Sequence, residues 1–138
     1  MKITADTNVL LRLIVADDPK QASAPVKALT LAETVAVSLT ALCELSWVLQ
    51  GSYGVARSDI AATIRRLIET EKIEVNRPAV EAGLAMLTAG GDFADGIIAY
   101  EGRWLGGDVF VSFDRKATKL LVAQGHAVHV LGEAIHPT

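Results

Sequence analysis

The chain has 138 residues, a length that suits one domain spanning 1–138. Its 51% hydrophobic content argues against a disordered chain, and its single cysteine, Cys43, rules out an internal disulfide framework and fits a reducing, cytoplasmic setting. A net charge of −3 does not advertise nucleic-acid binding, so any such contact has to come from local basic side chains.

In chain order, Lys2 to Ala5 reads as a first strand entering a turn, without the apolar core and cleavage site of a leader. Asn8 to Val15 is apolar enough for a buried helix. Asp18 followed by Pro19 marks the start of a second helix, which runs to about Ala32. Val35 to Ser38 is the next strand. Thr40 is placed to cap a helix that ends near Gln50, before Gly51. Ser58 begins a helix with Ile60, Ile64, Leu67 and Ile68 at helical spacing.

Ile73 to Val75 is a third strand, and Pro78 opens a helix that stops at Gly90-Gly91. Asp92 caps a helix reaching about Leu105. Val109 to Ser112 is a strand, Asp114 starts a helix ending near Gly125, and Ala127 to Leu131 is the last strand, followed by a short tail. Short, β-branched, nearly uncharged strands that alternate with helices predict an α/β fold, a parallel sheet covered on both faces. No apolar run reaches 18 residues, so no membrane span is expected.

The informative residues are carboxylates in apolar company. Asp6 is the only charged residue between Lys2 and Arg12, and Glu44 the only one between Glu33 and Arg57, in TALCELSWVL. Asp92 and Asp95 stand alone between Glu81 and Glu101 in GGDFADGIIAY, and Asp114 follows the strand VFVS after one residue. Buried as ions, such groups are costly, and gathered together they repel. A divalent cation resolves both problems, and Mg²⁺ or Mn²⁺ prefers such oxygens. Ligands of parallel sheets sit beyond the strand carboxyl ends, where Asp6 and Asp114 fall. Each residue also has a plainer role: a turn for Asp6, helix caps for Asp92 and Asp114, a helix-dipole partner for Asp95, a solvated glutamate for Glu44.

In order along the chain, ADTNVLLRL, TALCELSWVL, DFADGIIA and VFVSFDRK resemble the four motifs of the PIN-domain nucleases, specifically the VapC-type toxins of toxin–antitoxin pairs. The resemblance covers nearly the whole chain. It implies a three-layer α/β/α sandwich around a central parallel sheet of about five strands, and Mg²⁺- or Mn²⁺-dependent cleavage of RNA. It implies Asp6, Glu44, Asp95 and Asp114 as the catalytic set, with Asp6, Asp95 and Asp114 on the metal. Thr7, Asn8, Asp92 and Ser112 would support the site, Asn8 by hydrogen bonding. The partners implied are RNA, a small cognate antitoxin and a second copy of the chain.

Arg115 and Lys116, next to Asp114, are the leading candidates for flanking phosphates, with Arg12, Arg103 and Lys119 behind them. His126, His129 and His136 are poor metal candidates, and Trp47 and Trp104 read as core or dimer contacts. Three rivals compete. A haloacid-dehalogenase-like phosphatase would use Asp6 as nucleophile but wants a second aspartate where Asn8 stands. A receiver-type signalling module wants paired acidic residues near its start and a lysine after its last strand. A non-catalytic RNA- or protein-binding module would have no use for an intact acidic set.

Overall fold

The computed structural model describes residues 1–15 and 19–132, so Asp18 as a helix start, the tail after Gly132 and His136 lie outside the described residues. The elements follow as β1 (Lys2–Thr4), α1 (Thr7–Ile14), α2 (Pro19–Leu31), β2 (Thr34–Ala36), α3 (Leu39–Gly51), α4 (Arg57–Ile68), β3 (Ile73–Glu74), α5 (Arg77–Thr88), α6 (Phe93–Trp104), β4 (Val109–Ser112), α7 (Arg115–Ala123) and β5 (Ala127–Val130). The α/β class, the strand count and the parallel pairing are those expected. The five described strands are hydrogen-bonded as a set of three and a pair, in two compact units, Met1–Arg77 and Pro78–Thr138.

In the first unit the strand order is β1-β2-β3, all parallel, with Ile3 opposite Val35 and Val35 opposite Ile73. Parallel neighbours need helical crossovers, and α1–α2 and α3–α4 supply them. Val35, on the central strand, is completely buried, as are Leu10, Leu42, Leu45, Ile60 and Ile64 from the helices. On α3 the buried stripe is Ala41, Leu42, Leu45, Ser46 and Leu49, spaced by three and four. Glu44 therefore falls on the opposite, exposed stripe with Thr40 and Trp47, despite its apolar neighbours in sequence. Two basic side chains satisfy helix-end carbonyls: Lys72 Nζ donates to Thr30 O at 2.8 Å, and Arg77 donates to Ile68 O at 2.7 Å.

In the second unit β4 and β5 run parallel, from Val109 opposite Ala127 to Ser112 opposite Val130, with α7 as the crossover. Met86, Ala99, Ala117 and Leu121 form a buried cluster, joined by Phe110, Leu120 and Val128. The approach of α6 to α5 depends on Gly96. A Cβ there would strike the carbonyl of Ala82 and come within 2.9 Å of the Cα of Gly83. Only a residue without a side chain lets the two backbones lie this close.

Several element ends differ from expectation for local reasons. Ser38, not Thr40, caps α3, its Oγ accepting from Ala41 N–H at 3.1 Å. The helix expected from Ser58 starts at Arg57, with Ala56 at the cap position and no side-chain hydrogen bond there. Trp47 is 51% exposed and Trp104 76% exposed, so neither is a core residue. Cys43 is half-buried. No helix among the described residues is long and apolar enough to cross a membrane.

Candidate active site

Each unit gathers its own carboxylates, and both use the same construction: a strand, a short turn, then an aspartate that caps the following helix. In the first unit Asp6 stands two residues past β1 as the N-cap of α1. Its Oδ1 accepts from Val9 N–H at 3.0 Å. That bond occupies one carboxylate oxygen. Oδ2 takes no hydrogen bond among the described residues and is open to a further ligand. Glu44 meets this segment through the next residue: Thr7 Oγ1 donates to Glu44 Oε1 at 3.4 Å, a long bond that aims the carboxylate toward the start of α1. The Asn8 side chain makes no hydrogen bond among the described residues and lines a cavity that Asp6 also lines.

In the second unit Asp92 caps α6, with Oδ1 accepting from Ala94 N–H at 3.1 Å. Asp95 lies in the first turn of the same helix, its own N–H donating to Asp92 O at 3.1 Å. Asp114 stands two residues past β4 as the N-cap of α7. Its Oδ1 accepts from Ala117 N–H at 3.0 Å. Ser112 has a defined part in this turn, because its Oγ accepts from Asp114 N–H at 2.9 Å and so fixes the backbone that carries the carboxylate. Asp114 and Asp6 thus both lie beyond the carboxyl ends of parallel strands, where ligands of such folds sit.

The three aspartates of the second unit share an electrostatic field. The Asp95 carboxyl is held above its ordinary value, first by partial burial, then by the negative charges of Asp92 and Asp114. Its plainer role, a carboxylate favoured by the helix dipole, does not offset this. The expectation of costly burial holds for Asp95 and not for Asp6, Glu44 or Asp114, which are exposed. Glu44 is solvated because helical periodicity turns it outward. Asp6 and Asp114 are exposed because caps lie at helix ends.

No cluster of three or more His, Cys, Asp or Glu side chains suited to a metal ion occurs among the described residues. The donors present are nonetheless of one kind, carboxylate oxygens with Thr7 and Ser112 hydroxyls beside them. That chemistry fits a hard cation such as Mg²⁺, which usually keeps several waters and takes only one or two protein carboxylates. Asp95, crowded by like charge, is the group such a cation would relieve most. The two described histidines are not among these donors. His129 is exposed, and His126 is half-buried, its imidazole pushed below its ordinary value by burial and then by Arg103.

Two of these carboxylates, Asp6 and Asp114, stand just past the ends of parallel strands in an α/β protein. The PIN domain family model matches residues 3–120, which takes in every one of these carboxylates and parts of both units, and the chain belongs to that family. Membership puts it among metal-dependent nucleases acting on nucleic acid, and displaces the phosphatase and receiver readings. None of the curated proteins compared with the chain matches it.

Proposed function

We propose that the chain is a metal-dependent endoribonuclease, the toxin of a VapC-type toxin–antitoxin pair, and that residues 1–138 act as one nuclease domain. The observation that carries this reading is the family match across residues 3–120, which includes Asp6, Glu44, Asp95 and Asp114. Support from geometry is the repeated capping aspartate with an oxygen to spare, and the charge crowding at Asp95.

Asp6, Asp95 and Asp114 are the residues that would hold the cation, Mg²⁺ or alternatively Mn²⁺. When bound, it supplies charge neutralisation at the phosphate and acidification of water at near-neutral pH. Glu44 accepts the proton of the attacking water, its carboxylate oriented by the Thr7 hydroxyl. Asp92 and Ser112 fix the turns that carry Asp95 and Asp114. Arg115 and Lys116, on the first turn of α7, hold phosphates that flank the cut. A small antitoxin covers the acidic residues in the resting state, and an arginine from it can replace the cation's charge. The protein works in the cytoplasm as a homodimer.

The test is digestion of RNA with Mg²⁺ or Mn²⁺. Cleavage that disappears with EDTA and in Asp95→Asn protein supports the proposal. Cleavage that persists in both removes the carboxylates from the chemistry.

A further inference from the structure

Asp6 lines more than its own helix cap. Between α1 and α2 lies a cavity of about 370 Å³, within the size range of small-ligand pockets. Its apolar lining is Val9 on α1 and Ala24, Pro25 and Ala28 on α2. The three α2 residues fall at helical spacing, and their small side chains leave the space open. Its polar lining is Asp6, Asn8 and Arg12, all on one side. Asn8 and Arg12 stand one helical turn apart, so an amide and a guanidinium face the same ligand.

Arg12 has a plainer role as a cation in the last turn of α1, favoured by the helix dipole. That role does not account for a guanidinium that lines the cavity with no hydrogen bond or ion pair among the described residues. A guanidinium is matched to phosphate, by two parallel hydrogen bonds. Small apolar walls match the face of a ring, and an amide can read the ring's edge. A phosphate beside a planar base is a nucleotide, and a concave pocket admits a base only when it is unpaired and out of its stack. Asp6 in the same lining joins this pocket to the carboxylate expected to bind metal.

We propose that the cavity between α1 and α2 seats one unpaired nucleotide of the RNA next to the cleaved bond, with Arg12 holding its phosphate. This rests on the ribonuclease reading and sharpens it to a subsite.

The test measures binding of a fluorescent single-stranded oligoribonucleotide by anisotropy, with Mg²⁺ present and Asp95→Asn protein as the uncut parent. Arg12→Ala is expected to weaken binding roughly tenfold or more. It should also lower the salt dependence by about one phosphate contact, which a change in folding alone would not do. Ala28→Leu, which fills the cavity from an exposed helical position, should weaken binding without that change in salt dependence. Arg66→Ala, an equal loss of charge on α4, should leave binding and its salt dependence as in the parent.

Unchanged affinity in both cavity variants overturns the subsite. So does equal loss on single-stranded and duplex RNA, which reduces Arg12 to a general phosphate contact. A shift in the sedimentation of the free chain in Ala28→Leu, with RNA affinity kept, gives the cavity to a second copy and also overturns it. If the wild-type chain cleaves RNA and carries Arg12→Ala and Ala28→Leu with no loss of cleavage, the subsite falls and the nuclease stands. If wild-type protein does not cleave RNA at all, the nuclease reading itself has failed.

Discussion

The two carboxylate sets share a plan and differ in the company they keep. In the first unit Asp6 and Glu44 are exposed, and a threonine hydroxyl links the glutamate to the start of α1. In the second, Asp95 is half-buried and feels both Asp92 and Asp114, so its charge is held at a cost. Water can solvate the first set without help. In the second, Asp95 is under electrostatic tension that a cation would release. A helix cap leaves an aspartate one oxygen free for a cation, because a cap uses a single oxygen, and charge crowding sets Asp95 apart from the exposed caps Asp6 and Asp114.

The largest expected effect tests whether both sets serve the same reaction. Asp6→Asn and Asp95→Asn should each lower Mg²⁺-dependent RNA cleavage by roughly a hundredfold or more. Both amides preserve size, and at Asp6 the amide oxygen can still cap α1 through Val9 N–H. A digest in which only the second-unit variant fails would separate the sets and confine the chemistry to Asp92, Asp95 and Asp114.

The next effect is on stability, and it concerns what holds Asp95 in place. Gly96→Ala should destabilise the fold by about 1–3 kcal/mol, because the new Cβ meets the Ala82 backbone, which cannot turn aside as a flexible side chain would. Gly102→Ala, on the same helix with open space around it, should instead stabilise by about 0.5–1 kcal/mol through helix propensity. Urea titration of the two variants measures both. A neutral Gly96→Ala would show that α5 and α6 can separate freely, and that Asp95 is not held by their close approach.

Caps give a smaller difference within each set. Asp6→Ala should be less stable than Asp6→Asn by about 1 kcal/mol, since only the alanine abandons the Val9 N–H; Asp114→Ala and Asp114→Asn should differ similarly through Ala117. Denaturant midpoints decide it. Equal stability of the alanine and asparagine proteins would mean that these aspartates do not cap in solution.

Much of this was legible in the chain because it is local. Alternating apolar strands and helices predict the α/β class, and Asp92 and Asp114 announce their helix starts by residue type and position. Helix faces were legible in principle. Leu42, Leu45 and Leu49 at spacings of three and four turn Glu44 outward, and reading its immediate neighbours rather than that period suggests burial instead. What no local pattern carries is pairing across the chain. The grouping of strands into three and two, the meeting of Gly96 with Ala82, and the cavity that Ala24, Pro25 and Ala28 leave beside Arg12 depend on residues far apart in sequence. The Thr7–Glu44 bond spans 37 positions and belongs with them.

The smallest expected effect is also the most direct reading of the tension at Asp95. Its folded value is raised above the ordinary 3.8, so the folded chain binds that proton more tightly than the unfolded chain does. The cost of the ionised group is therefore fully present near neutrality. It is relieved as pH falls through the raised value, and relief is complete below the ordinary one. Asp95→Asn removes the ionisation, so without metal the variant should be the more stable protein at neutral pH, and its advantage should shrink on acidification. His126 runs the other way, since its lowered value makes stability fall as pH drops below its ordinary 6.5, but it is common to both proteins and cancels in the difference. Added Mg²⁺ should raise the Tm of the wild-type chain and do less for the variant, closing the gap. A variant no more stable than wild type without metal, or equally stabilised by Mg²⁺, would show that the second set carries no more electrostatic tension than the first.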